Sequence, residues 1–147
     1  MTHFVKSFFD RFQRNCLLTG LRILIVEDEL SQRLTLKRIL EKHGAEIFLA
    51  ENGNEGLRRA AEHFPDLILL DERMPVMTGL EMCKRLKELE ITKTIPVIFL
   101  TAADSPDEIV EHFELGAEIH LSKPINAKEL ISQIQITLNN QKDKRHA

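Results

Sequence analysis

The run "DLILLDERMP", Asp66 to Pro75, carries an apolar stretch straight into an aspartate, Asp71, and then turns through Met74 and Pro75. A second run, "RILIV" (Arg22 to Val26), ends in Glu27 and Asp28, with Glu29 next. A third, "PVIFL" (Pro96 to Leu100), is followed by Thr101, and a fourth, "AEIHL" (Ala117 to Leu121), by Ser122, Lys123 and Pro124. If these runs are strands of one parallel sheet, three carboxylates, a hydroxyl and an ammonium gather on one rim. Carboxylates about 4 Å apart, at an effective dielectric near 20, repel by roughly 4 kcal/mol per pair. A hard divalent cation relieves that cost, and Mg²⁺ (or Mn²⁺) suits a site of one or two carboxylates completed by waters and phosphate oxygens. Lys123 offers a point charge and Thr101 a hydrogen-bond donor to the same phosphate. Asp71 is then the candidate nucleophile, forming an acyl phosphate.

The elements that must position these groups are legible in the apolar spacing. Together with "AEIFLA" (Ala45 to Ala50), the runs give five short buried strands. Between them the period changes to three and four: Leu57, Ala60, Ala61 and Phe64, then Leu80, Cys83 and Leu86. "TGLE" (Thr78 to Glu81), "SPDE" (Ser105 to Glu108) and "NAKE" (Asn126 to Glu129) read as helix N-caps with Glu at the third position, and Pro106 suits a first helical turn. Five strand–helix units in succession predict an α/β fold, a doubly wound parallel sheet with helices on both faces. Such sheets bind ligands at the carboxyl ends of their strands.

A chain of 147 residues suits one domain with a proper core. No apolar run reaches the roughly 18 residues of a membrane span, and no signal peptide is evident. Cys16 and Cys83 lie far apart and form no metal motif, which fits a reducing cytoplasm. None of the six histidines has metal-ligand spacing. The net charge is −3, while the first twenty residues and the stretch after Leu138 each carry about +2. The middle therefore holds about −7, which disfavours nucleic acid and favours cations or basic partners.

"LIVEDE", "LLDERMPVMTGLE", "IFLTA" and "LSKP" resemble, in order, the four motifs of the receiver domain of two-component response regulators, the CheY-like, flavodoxin-like fold. The resemblance covers about Leu21 to Asn139. It implies a sheet of order 2-1-3-4-5 and phosphorylation of Asp71 by a phosphohistidine donor, either a sensor histidine kinase or a histidine phosphotransfer protein. It implies Mg²⁺ held by Asp28, Asp71 and the backbone carbonyl of Arg73, with Glu27 acting through water. Thr101 and Lys123 are to contact the phosphoryl oxygens, with a cis bond before Pro124. The family usually places Tyr or Phe three residues before the lysine, as a switch coupled to the threonine; here that residue is His120. Arg73 and Ala103 occupy positions that tune acyl-phosphate hydrolysis in the family.

Rival readings are weaker. A haloacid-dehalogenase-type phosphatase needs a second Asp two residues after the nucleophile, where this chain has Arg73. A flavin module needs a Ser/Thr/Gly-rich loop after the first strand, where Glu27, Asp28 and Glu29 stand. No G-x-x-x-x-G-K-[ST] is present to bind a nucleotide. The alternative from another class is a phosphorylation-independent adaptor on the same fold.

Three segments are expected: an amphipathic helical extension at 1–20, the receiver at 21–139 and a basic tail at 140–147. The extension carries Phe4, Phe8, Phe9 and Phe12 as an apolar stripe suited to docking on its own domain or a twin (self-association), to a partner groove, or to weak membrane-surface association. With no output domain in view, the chain reads as a stand-alone receiver that signals through a downstream target protein or a phosphoryl hand-off.

Overall fold

The computed structural model describes residues 16–102, 110, 114 and 119–146, with side chains as far as residue 143. The N-terminal phenylalanine stripe, the "SPDE" cap and Ala103 lie outside the described residues. In chain order the elements are β1 (Arg22–Val26), α1 (Leu30–Lys42), β2 (Glu46–Ala50), α2 (Gly53–His63), β3 (Leu67–Asp71), α3 (Gly79–Glu88), β4 (Val97–Thr101), β5 (Ile119–Ser122) and α4 (Ala127–His146). The strands form one parallel sheet of order β2-β1-β3-β4-β5.

Burial explains the order. Every residue of β3 and β4 is buried, as strands covered by helices on both faces must be. β2 opens with exposed Glu46 and reaches full burial only at Ala50, which suits an edge. There the Phe48 ring stacks on His63 with centroids 4.3 Å apart, and Arg22 lies 5.0 Å over the same ring. These contacts cover part of the sheet's face beside that edge.

Alternation along the strands divides the interior in two. Leu24, Val26, Ile68, Leu70 and Phe99 pack with Ala60 of α2 and Met82, Cys83 and Leu86 of α3. Ile23, Ile25, Leu69, Ile98 and Leu100 pack with Leu36 and Leu40 of α1 and Leu130, Ile131 and Ile134 of α4. Each such fully buried side chain contributes roughly 1.5–3 kcal/mol, so the sheet is a stiff platform for whatever its ends carry.

The second core reaches back beyond the expected start of the domain at Leu21. Leu18 has no solvent exposure, and its N–H donates to the His43 carbonyl at 2.8 Å. At the other end, the segment expected as a basic tail from residue 140 is continuous with α4 as far as His146. Local capping follows the side-chain chemistry: Thr78 accepts from the Glu81 N–H at 3.1 Å, and Asn126 from the Glu129 N–H at 3.1 Å.

β1 has β2 on one side and β3 on the other, so the chain runs to one side of it through α1 and crosses back to the other through α2. The crevice at that reversal is where a sheet of this kind binds its ligand. Glu27 and Asp28 follow β1, and Asp71 ends β3.

Candidate functional site

Glu27 is held by the sheet beside it: its N–H donates to the Ala50 carbonyl at 3.1 Å, one step past the last β1–β2 pair. Its side chain is 1% exposed. Asp71 is the last residue of β3, 4% exposed, and sits opposite Leu100 in the β3–β4 register. Asp28 is exposed. Arg33 of α1 fixes the turn between them, donating to the Glu27 carbonyl at 2.7 Å and the Asp28 carbonyl at 3.3 Å. One carboxylate oxygen from each of Glu27, Asp28 and Asp71 lies within 4.8 Å of the others.

Lys123 closes the group. Its N–H donates to the Thr101 carbonyl at 3.0 Å, and the Lys123–Pro124 bond is cis. The ammonium lies 3.2 Å from Asp71 Oδ1, 3.3 Å from Glu27 Oε2 and 2.7 Å from Gln32 Oε1. These residues, with Arg73 and Ala102, border an open cavity of about 390 Å³. A second cleft, about 460 Å³, continues from Lys123 and Gln32 over Leu36, Ile39, Leu100 and Ile125.

The electrostatics follow from crowding. Burial, then the neighbouring Asp71 carboxylate, push Glu27 up from its ordinary 4.5 to about 7, against the pull of Lys123. Burial also raises Asp71, opposed first by the Lys123 charge; an Arg73 backbone hydrogen bond acts in the same downward sense. Burial lowers Lys123, but attraction to Asp71 and Glu27 outweighs it and the net shift is upward. One cation thus holds two buried acids that burial alone would neutralise. The site has a deficit of positive charge. Its hard oxygen donors, close together and partly neutralised, fit Mg²⁺ or Mn²⁺ as the expected ion.

Thr101 alternates with Phe99 and therefore points to the opposite side of the sheet from Asp71, which alternates with Leu69. Its hydroxyl donates to Glu72 Oε2 at 2.7 Å. His120 lies opposite Phe99, and Ser122 opposite Thr101, in the β4–β5 register. Between Asp71 and α3 the loop is tight. Val76 adopts φ 70°, with the Met77 N–H donating to the Pro75 carbonyl at 2.8 Å, a γ-turn of the strained, positive-φ kind. Gly79 permits the return: a Cβ there would stand 2.4 Å from the Asp71 carbonyl oxygen and 2.8 Å from Glu72 Cα.

The model of the response regulator receiver domain matches residues 23–135. The chain belongs to that family. It is 36% identical over 117 residues to protein PilH of Pseudomonas aeruginosa, covering 80% of this chain and 97% of PilH. It is 37% identical over 121 residues to the phosphate regulon transcriptional regulatory protein PhoB of the same species, covering 82% of this chain but only 53% of PhoB. A CheY-like response regulator receiver domain from Methanospirillum hungatei matches with a TM-score of 0.79 at 31% identity, over 84% of this chain and 98% of that one. The expected sheet order and fold class are those observed. Among the described residues no helix is long and apolar enough to cross a membrane.

In this receiver the sequence-predicted Glu27, Asp28, Asp71 and Lys123 converge, and Arg73 borders their cavity. Thr101 is engaged by Glu72. Two contributors escaped the sequence reading, Gln32 at Lys123 and Glu72 at Thr101. Both sit within a few residues of the acidic motifs, and that proximity was the available signal.

Proposed function

We propose that this receiver takes a phosphoryl group onto Asp71 from a phosphohistidine of a sensor histidine kinase or histidine phosphotransfer protein. The reading rests on one observation above all: a buried aspartate at the end of a central strand, 3.2 Å from a lysine ammonium and within 4.8 Å of two further acids. An Asp71 carboxylate oxygen attacks phosphorus, the phosphorus–nitrogen bond breaks, and the imidazole departs with the electron pair and is reprotonated. Lys123 is placed to hold a phosphoryl oxygen, and Thr101 to hold another once its hydroxyl leaves Glu72.

Asp28, Asp71 and the Arg73 carbonyl are assigned to Mg²⁺ (or Mn²⁺), with Glu27 acting through water. The bound ion would supply charge neutralisation at the phosphoryl oxygens. The chain is a phosphoacceptor rather than a turnover enzyme, and its output is contact with a downstream protein or a phosphoryl hand-off. No catalytic base is needed, because a carboxylate attacks as it stands once ionised.

Incubation with acetyl phosphate and Mg²⁺, followed by intact-mass measurement, tests this. One phosphoryl group should add to wild type, none to Asp71→Ala and little in EDTA. A phosphorylation-independent adaptor would take up none. Uptake by Asp71→Ala would move the acceptor elsewhere.

A further inference from the structure

We infer that Gln32 is a positioning residue for Lys123, an uncharged anchor that fixes where the ammonium stands for phosphoryl transfer. The inference rests on the phosphoacceptor reading above. An ammonium has three donors and no acceptor. In this site they go to Asp71 at 3.2 Å, Glu27 at 3.3 Å and Gln32 at 2.7 Å. Charge-assisted bonds to carboxylates ordinarily run about 2.7–2.9 Å. Here the two carboxylate contacts are long, and the amide contact is the short one. The ammonium is drawn toward α1 rather than centred on the acids.

The amide can do this because its own orientation is fixed. Gln32 Nε2 donates to Glu29 Oε2 at 2.6 Å, and Glu29 Oε1 accepts from Ser31 at 2.8 Å. Turning the amide over would set an NH₂ against the ammonium and a carbonyl oxygen against the Glu29 carboxylate, so one orientation is selected. The result is a chain from Ser31 and Glu29 through Gln32 to Lys123, all its acceptor ends set by the first turn of α1. A neutral anchor also suits the chemistry. When Asp71 gains a dianionic phosphoryl group, Lys123 can turn its two loosely held donors toward it. A carboxylate at position 32 would compete for the ammonium and repel the incoming charge. Gln32 does not touch the reacting atoms in this reading. It holds the group that does.

The test uses the full chain, acetyl phosphate as donor, Mg²⁺ titrated by thermal shift, and ¹⁵N-lysine NMR. Gln32→Met keeps side-chain length and helix propensity but removes the acceptor. Its limiting phosphorylation rate should fall about tenfold, the kinetic worth of one charge-assisted hydrogen bond. The Mg²⁺ midpoint should move by less than about twofold, because the carboxylates remain. The Lys123 ammonium signal should broaden or shift. Gln32→Glu alone should also be slow, facing Glu29 with like charge. Gln32→Glu combined with Glu29→Gln removes the like-charge contact but keeps a carboxylate on the ammonium, so it should fold as wild type and remain slow.

A wild-type rate in Gln32→Met would overturn the anchor role while leaving Asp71 phosphorylation standing. A parallel loss of Mg²⁺ affinity would overturn it too, by showing that the site itself had collapsed. If wild type takes up no phosphate, the phosphoacceptor reading fails and the role assigned to Gln32 falls with it. An undisturbed Lys123 signal in Gln32→Met would refute the anchoring even then.

Discussion

Glu27→Gln should make the metal-free protein more stable, and only on the alkaline side of a defined pH window. Glu27 is 1% exposed and titrates near 7 rather than 4.5, because burial and then the Asp71 carboxylate disfavour its charge. The folded protein therefore holds this proton up to about pH 7, whereas the unfolded chain releases it near 4.5. Stability from this group is fully present below 4.5 and is lost as pH rises toward 7. Displacing a carboxyl that far corresponds to roughly 3 kcal/mol at pH 8 and to less than about 1 kcal/mol at pH 5. Glutamine avoids the cost but deprives Lys123 of one carboxylate partner, so a net gain of about 2 kcal/mol is expected at pH 8.

At roughly 2–4 °C per kcal/mol, the melting temperature of Glu27→Gln in EDTA should exceed wild type by about 4–8 °C at pH 8, with the difference vanishing near pH 5. Differential scanning calorimetry of both proteins across pH 5–8, with chelator throughout, measures this directly. An equal or lower melting temperature for the variant at pH 8, or a difference that does not change with pH, would refute the crowding argument. Asp28 is exposed, so Asp28→Asn should show a smaller gain.

Further expectations follow from single contacts. Glu72→Ala releases the Thr101 hydroxyl and should speed acetyl-phosphate labelling of Asp71 by up to about fivefold, the worth of one hydrogen bond of about 1 kcal/mol, read by intact mass against time. Gly79→Ala drives a methyl into the Asp71 carbonyl and should cost about 2 kcal/mol in urea melts while slowing the same labelling. Val76→Gly relieves a positive φ at a side chain that packs against nothing, being 96% exposed, and should raise stability by about 0.5–1 kcal/mol. A chain beginning at Leu21 loses the buried Leu18 and should be about 2–4 kcal/mol less stable than one beginning at Cys16; equal urea midpoints would put the domain start back at Leu21.

The strands and the rim were legible because periodicity and strand-end chemistry are local properties of the chain. "RILIV" occupies β1 residue for residue. The third strand ends in Asp71, as expected; only its start moves, since Asp66 precedes it and accepts from the Arg22 N–H at 2.9 Å. That end matters, since a residue inside the ladder is held more rigidly than one in a following loop. The burial of Leu18 was not legible because it depends on the α1–β2 turn, a contact across 25 residues that spacing does not encode. Gln32 and Glu72 were missed for a related reason. Each bonds a side chain from a different strand end, 91 and 29 residues away, and amide or carboxylate side chains near an acidic motif look like solvated surface until the fold closes.

Those two residues also show how the rim divides its labour. Asp71 and Lys123 face the α1 and α4 side, where Gln32 holds the ammonium, and that arrangement is rigid because it hangs on strand ends and a helical first turn. Thr101 alternates to the other side and is tied to Glu72, which follows Asp71 in sequence and opens the loop leading to α3. If a phosphoryl group on Asp71 draws the Thr101 hydroxyl across, Glu72 loses that one hydrogen bond, and the strained turn at Val76 lies only four residues further on. Chemistry would then be confined to the rigid side and its consequence to the strained side. The Glu72→Ala variant separates the two: it should label readily, yet its β3–α3 loop amides should shift less on phosphorylation than those of wild type, because the contact to be broken is already absent.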